Sequence, residues 1–524
     1  MIRELEISEK VMFENLCKET LYKGKLLFPG RLLWRATKLR GDAIALIYLD
    51  KKITYRQLYS RSKALMKKIV ERFGLKPRDR AIICFDNSPE FYIAYFALWQ
   101  LGVVVAPVNT FLKEKELEHI IIDSQPALIA TSSDRVTLFE KTAVNLPPFI
   151  TEADIQEIDD LHLEDTDVYD LDPEELAALL YTSGTTGLPK GVMLSAKNIM
   201  TNVLQIASLL DVKGEERIFG VLPLFHSFAQ NTCVWASLFY GVTIILIPKI
   251  ERRFILDGLA HEPTVFLGVP ALYGLLCLMK TAPLDSVRLF VSGGDALPDK
   301  IRAAFGLLYR RHLINGYGLT ETSPVISVDL ADQTEPTSCV GKPLYGIECS
   351  IRDENGKEMT QGSIGVLWVK GDNVMLGYYQ ATEMTEAALK DGWFNTGDLA
   401  YIDAQGKIVI TGRQKDLIIH KGFNIYPQEI ENVILSHALV IRVGVVGWHD
   451  HDGEIPVAFV QIRSQDAHVE RELRSLCKQH LAAYKIPKKF ICSEKELPLT
   501  ATGKVDKKVL RVQLIDIFKD ANKE

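Results

Sequence analysis

At 524 residues the chain is longer than a single hydrophobic core ordinarily serves, which implies two or three domains. Apolar residues at 47% and charged residues at 24% exclude disordered and fibrous classes, and a formal net charge of −6 excludes a dedicated nucleic-acid binder, whose surface must be cationic. The charge is uneven: from Arg413 onward Lys and Arg slightly outnumber Asp and Glu, a balance that fits either a polyanionic small ligand or an ordinary solvated face.

The eight cysteines form no C-x-x-C pair and read as reduced core thiols of a cytoplasmic protein. Met1–Lys10 alternates charged with apolar residues and lacks the apolar centre of a signal peptide. The run from Phe91 to Pro107 is apolar, but Gln100-Leu-Gly102 divides it into a helix-like and a Val-rich half. A buried helix leading into a strand is expected there, and no transmembrane segment.

In chain order, the spacing predicts a strand at 43–49, a helix at 55–73, a strand at 80–85, a helix at 90–101 and a strand at 103–108, then further strands at 243–247, 264–268 and 286–292. This alternation is α/β layering. From Val340 to Ile410 the chain turns strand-rich, with turn signals at Glu354-Asn-Gly, Gln361-Gly and Asp391-Gly, which predicts a small β-barrel or meander. A compact α/β module of about 110 residues follows, within ordinary domain size. The expected fold class is α/β: a large N-terminal domain (1–412) of layered α/β subdomains plus a small β-barrel, then a small mobile C-terminal α/β domain (413–524).

The segment Tyr181-Thr-Ser-Gly-Thr-Thr-Gly-Leu-Pro-Lys-Gly191 holds glycines, hydroxyls and one lysine directly after an apolar stretch. Glycines let backbone N–H groups approach an anion, hydroxyls donate to its oxygens, and Lys190 supplies a mobile charge. The chemistry implied is work on a nucleoside triphosphate. A Walker A loop would end in Gly-Lys-Ser/Thr, whereas Pro189 precedes Lys190 and Gly191 follows it; a plain Gly/Thr surface turn is the bland alternative.

Downstream, Asn315-Gly-Tyr-Gly-Leu-Thr-Glu321 reads as a turn whose ring can stack on a purine, with Thr320 and Glu321 able to meet phosphate and a hard cation. The alternative is a turn with a core tyrosine. Thr396-Gly-Asp398 and Thr411-Gly-Arg413 offer a carboxylate for ribose hydroxyls and an arginine for ribose or phosphate; alternatively they form a surface ion pair.

Together with Lys421-Gly-Phe-Asn-Ile-Tyr-Pro-Gln-Glu-Ile430 and Pro498-Leu-Thr-Ala-Thr-Gly-Lys504, these segments resemble the adenylate-forming enzymes, which include acyl-CoA synthetases, luciferases and peptide-synthetase adenylation domains. The resemblance runs from about Gly41 to Lys508. It implies that Thr182, Ser183, Gly184, Thr185, Thr186 and Lys190 hold the ATP phosphates, and that Asn315, Gly316, Tyr317 and Gly318 receive adenine. Thr320 would meet the α-phosphate, Glu321 with Thr185 would bind Mg²⁺, and Asp398 and Arg413 would take the ribose. Lys504 is implied as the catalytic lysine, and Lys415 as the hinge about which the C-terminal domain turns between two half-reactions. Lys421, Gly422 and Phe423 would line the thiol channel.

Two departures stand out. Ile419 replaces a nucleotide-contacting lysine of the plant phenylpropanoid ligases and luciferases, and Asp295 occupies an adenine-edge position that is often small. In the family the acyl tunnel is lined by residues corresponding to His226, Phe228, Val269, Gly293 and Gly294. Nothing cationic stands among them, so a hydrophobic monocarboxylic acid is expected. His226 is equally open to a structural role, satisfied by a backbone carbonyl. The resemblance implies ATP, Mg²⁺ and CoA as cofactor and co-substrates, and a medium- to long-chain fatty acid as substrate. Acyl carrier protein stands as the alternative acceptor, and a silent lipid- or nucleotide-binding protein as the rival of another class. A homodimer and a peripheral membrane contact are left open.

Overall fold

The computed structural model describes residues 2–158, 168–183, 188–210, 212–330, 336–420, 423–450, 453–464, 468–500 and 504–521. Two large sheets organise the first three-quarters of the chain. In one, Leu176–Ser183, Val104–Pro107, Arg80–Cys84, Leu128–Thr131 and Phe149–Ile150 run parallel, while Pro189–Ser195 and Gly377–Tyr378 close one side in antiparallel fashion. In the other, the parallel strands Ile314–Gly318, Leu289–Ser292, Val265–Gly268, Arg217–Gly220, Thr243–Leu246 and Ile44–Tyr48 are flanked by antiparallel strands at both edges. The predicted alternation of strand and helix takes the form of two large sheets, in keeping with the expected layered subdomains.

The apolar run at 91–107 is a helix, Pro89–Gln100, followed by the strand Val104–Pro107. Every residue of that helix except Glu90 is buried, which explains why its composition resembles a membrane span: it faces protein on all sides. The polar tips of its aromatic rings find partners, as burial favours. Trp99 Nε1 donates to the Ala177 carbonyl at 2.9 Å, Tyr92 to that of Cys233 at 2.8 Å, and Trp235 Nε1 to the Tyr95 hydroxyl at 3.1 Å. Among the described residues no helix is long and apolar enough to cross a membrane. None of the eight cysteines is in a disulfide, and all lie among the described residues. The N-terminal segment, for which no element was expected, forms the helix Ile2–Glu19, and Glu9 accepts from the Tyr345 backbone N–H at 3.1 Å.

From Glu348 to Arg413 an antiparallel meander curls into a half-barrel. Its predicted turns are present, with Gly356, Gly362 and Gly392 at φ near +80°, the left-handed geometry that glycine adopts without a steric penalty. The chain then passes through the short turn Gln414–Asp416 into a fourth sheet, in which Ile418–His420, Gly453–Ile462 and Val440–Asp450 pair antiparallel and Lys489–Ser493 adds in parallel. This sheet builds its own core from Ile418, Ile430, Val445, Val460, Leu473 and neighbours.

Candidate active site

The phosphate-loop segment joins two antiparallel strands. Thr182 lies opposite Lys190 in register, and Tyr181 opposite Gly191. A Walker A loop runs from a strand into a helix, so the strand–loop–strand geometry removes that alternative. Gly184, Thr185, Thr186 and the side chain of Ser183 lie outside the described residues. The flanks are braced: Tyr181 donates to Asp123 at 2.6 Å, and a His119 ring nitrogen meets the Pro189 carbonyl at 2.8 Å. The Thr182 hydroxyl oxygen is buried without a hydrogen-bond partner. An unmatched buried hydroxyl costs free energy, so its place at the root of the loop suits a ligand oxygen.

Lys190 reaches from its strand to Glu321. Its Nζ stands 3.4 Å from the carboxylate and 3.8 Å from the centre of the Tyr378 ring, and the Tyr378 hydroxyl donates to Glu321 Oε1 at 2.9 Å. Burial, reinforced by the Glu321 charge, pushes the Tyr378 phenol pKa far upward, so it stays a donor. Glu321 thus carries a cation and a hydroxyl on one buried carboxylate. With one hard carboxylate at Glu321, the donor set fits Mg²⁺, which keeps several waters and binds jointly with substrate phosphates. Among the described residues no cluster of three metal-ligating side chains competes for that role.

Asn315-Gly-Tyr-Gly318 is not a turn. Gly316, Tyr317 and Gly318 lie within the strand Ile314–Gly318, paired with Val325–Asp329. Gly318 is required there because a Cβ would lie 2.0 Å from the Pro324 carbonyl oxygen. Thr320 and Glu321 follow in a single 3₁₀ turn. The Asn315 amide is turned inward, donating to the Thr337 carbonyl at 2.8 Å. Tyr317 donates to Asp398 Oδ2 at 2.5 Å, and Arg413 Nε contacts Asp398 Oδ1 at 2.8 Å. The Asp398 side chain is 4% exposed, so this is a buried carboxylate with two partners rather than a surface ion pair. The Asp398 charge raises the pKa of Arg413.

Lys504 belongs to the C-terminal module, and its backbone carbonyl accepts the Thr500 N–H at 2.7 Å. Its ammonium stands 3.7 Å from Asp295. Burial first, then the Lys504 charge, lower the His226 pKa to about 4, so the ring is neutral at pH 7. His226 Nδ1 accepts the Phe228 backbone N–H at 3.3 Å, which places the neutral proton on Nε2 and replaces the expected carbonyl partner. Phe228, Val269, Gly293 and Gly294 come together: a Cβ on Gly293 would meet the Phe228 ring at 3.3 Å, and one on Gly294 would meet Val269 at 3.7 Å. Gly294 itself has φ +80°.

Two residues escaped the sequence reading. Ser227 Oγ lies 3.1 Å from Thr320 Oγ1; its only signal was adjacency to His226. Tyr378 had none. Of the expected thiol-channel residues, Lys421 and Gly422 lie outside the described residues, whereas Phe423 is exposed and stacks on Tyr484 at 4.8 Å. Lys415 sits exposed in the turn between the third and fourth sheets.

The profile of the AMP-binding enzyme family matches residues 33–379, and that of the AMP-binding enzyme C-terminal domain matches 429–504. A long-chain-fatty-acid–CoA ligase of Salmonella typhimurium is 30% identical over 90% of this chain and 92% of its own length. A 2-succinylbenzoate–CoA ligase of Bacillus velezensis is 34% identical over 91% and 96%. The ATP-bound crystal structure of MatB from Rhodopseudomonas palustris superposes with a TM-score of 0.86, at 30% identity over 93% of this chain and 99% of that one. With nearly the whole chain matched in sequence and in fold, this protein belongs to the AMP-binding enzymes, the adenylate-forming superfamily that contains the AMP-forming acyl-CoA ligases.

Proposed function

We propose that the protein activates a medium- to long-chain fatty acid with ATP and transfers it to the thiol of CoA, releasing pyrophosphate and then AMP. The observation that carries this reading is the position of Lys504, brought by the C-terminal module to Asp295 and His226, beside the strand that bears Tyr317 and leads to Thr320. An acyl carboxylate oxygen attacking the α-phosphorus brings two anions together and builds charge in the transition state, and a cation introduced there stabilises it. Thr182, Ser183, Gly184, Thr185, Thr186 and Lys190 embrace the phosphates; Thr320, steadied by Ser227, meets the α-phosphate; Tyr317 and its glycine neighbours receive adenine; Asp398 and Arg413 hold the ribose. Mg²⁺, when bound at Glu321 and Thr185, neutralises the pyrophosphate leaving group.

In the second half-reaction the C-terminal domain, 413–524, turns about Lys415 and offers Lys421, Gly422 and Phe423 to the pantetheine arm. The thiol then attacks the acyl carbonyl carbon and AMP leaves. The acyl side is assigned from charge. A dicarboxylate such as 2-succinylbenzoate needs a cation for its second carboxylate, and the wall of Phe228, Val269, Gly293 and Gly294 supplies none, while His226 is held neutral. A screen of fatty acids from short to long alongside dicarboxylic and aromatic acids, with CoA and with acyl carrier protein, following AMP and thioester, tests the reading. Turnover restricted to dicarboxylic or aromatic acids would overturn it, and thioester formed only on carrier protein would reassign the acceptor.

A further inference from the structure

Behind Glu321 the backbone is held with unusual completeness. The carbonyls of residues 321–325 are all engaged, and four of the five are held by groups distant in sequence. Met375 N–H donates to Glu321 O at 2.9 Å, and Leu319 N–H to Pro324 O at 3.0 Å. The other three are taken by side-chain amides: Asn373 to Thr322 O at 2.8 Å, Asn231 to Ser323 O at 3.0 Å, and Asn202 to Val325 O at 2.8 Å. The amides are linked in turn, since Asn231 Nδ2 donates to Asn202 Oδ1 at 3.0 Å and the same oxygen accepts the Val325 N–H at 3.0 Å.

These three asparagines are completely buried and come from separate elements. Asn202 belongs to the helix Ala196–Leu209, Asn231 to the π-helical stretch Gln230–Trp235, and Asn373 to the turn before Gly377–Tyr378. π-helical turns occur mostly where a helix serves a site. The acceptors leave the amides no freedom to flip, because Asn231 faces two oxygens. Its own Oδ1, like that of Asn373, is buried and unpartnered. What matters for the 321–325 segment is the donor on each amide.

We infer that Asn231, Asn202 and Asn373 are positioning residues that hold the Thr320-Glu321 turn in register with the phosphate loop, so that the Glu321 carboxylate meets the metal–triphosphate at a fixed distance. This rests on the assignment of Glu321 to Mg²⁺ made above. Each asparagine acts through backbone rather than touching substrate. A displacement of the carboxylate by even part of an ångström should therefore lower kcat by about 10- to 100-fold, while the ATP KM, set largely by adenine and ribose contacts, stays within about threefold.

The test uses Asn231→Ala and the nearly isosteric Asn231→Asp, which replaces both donors by an oxygen, with Glu321→Ala and Asn87→Ala as references. Asn87 is also a buried asparagine, with its amide directed to the Gly220, Leu222 and Ile247 carbonyls, away from the 321–325 turn. Besides kcat and KM, the affinity for Mn²⁺ in the presence of a non-hydrolysable ATP analogue is read from the enhancement of water-proton relaxation, which distinguishes protein-bound from free Mn²⁺–nucleotide, and folding from circular dichroism and Tm. The expected result is a weakening of Mn²⁺ binding of about tenfold in both Asn231 variants, wild-type Mn²⁺ binding in Asn87→Ala despite a lowered Tm, and near-complete loss in Glu321→Ala. If Glu321→Ala binds Mn²⁺ normally, the metal assignment itself fails. If Glu321→Ala loses the ion while folded Asn231→Asp keeps both wild-type Mn²⁺ affinity and kcat, the positioning role is overturned and the asparagines serve stability alone.

Discussion

Replacing Lys504 by alanine should divide the two half-reactions. Two unit charges about 4 Å apart interact by about 1 kcal/mol in bulk water and by about 4 kcal/mol at the permittivity effective near a protein surface. Lys504 lies between these limits, since its side chain is 41% exposed and its neighbour Asp295 43%. ATP and the acyl chain displace water from the cleft as they bind, which moves the interaction toward the larger figure. The loss expected is therefore about 3–4 kcal/mol of transition-state stabilisation, a slowing of about 10²- to 10³-fold and similar to the removal of one oxyanion donor in an acyl-transfer site. Fatty-acid-dependent exchange of pyrophosphate into ATP reports the first half-reaction. Thioester formation from synthetic acyl-adenylate and CoA reports the second, in which the domain has turned and Lys504 has no part. Equal losses in the two assays, or undiminished exchange, would refute the argument from charge.

Four further outcomes follow from the geometry. Lys415→Pro keeps φ near −65°, the value of the 3₁₀ turn it occupies, so acyl-adenylate should accumulate while thioester synthesis falls at least about tenfold in single-turnover assays. Lys300 Nζ donates to the His437 carbonyl at 2.9 Å, just beyond the helix Pro427–Leu435, a contact between the large domain and the C-terminal one. Lys300→Ala should slow exchange a few-fold and leave thioester formation from acyl-adenylate unchanged. Asp398→Ala strips Tyr317 and the partly exposed Arg413 of their shared partner and should cost about 1–3 kcal/mol of stability, read by denaturant titration, with a raised ATP KM. His226 titrates at about 4 when folded against about 6.5 when unfolded. As pH falls the unfolded chain takes up the proton first, so the stability this site contributes is complete above about pH 6.5 and is lost toward pH 4; His226→Gln should flatten that acid-side decline in thermal melts.

What the sequence disclosed and what it hid follow from the range of the interactions involved. Helix and strand periodicity is local, so 55–73 and 80–85 were legible to within a residue or so, and Gly-Tyr-Gly followed by Leu-Thr-Glu could be read as a nucleotide site with a core-tyrosine turn as the alternative. The same glycines were read as a turn because nothing local reveals that Tyr317 faces Ser327 across an antiparallel pair; the requirement at Gly318 comes from Pro324, brought within 2.0 Å of a would-be Cβ by the chain doubling back. Tyr378 was invisible for a stronger reason. Its role exists only because the edge strand Gly377–Tyr378 pairs with Pro189–Ser195, which sets the phenol between Lys190 and Glu321, residues separated from it by 188 and 57 positions. The motif residues carry charge that any ligand would seek, whereas Tyr378, Ser227 and the three asparagines carry none and act only by where the fold places them. In the proposed mechanism, where positioning and electrostatics do most of the catalysis, the second group would shape the rate as directly as the first: a metal ion held by Glu321 neutralises a leaving pyrophosphate only if the carboxylate is already aimed, and the inferred source of that aim is neutral donors drawn from elements distant in sequence.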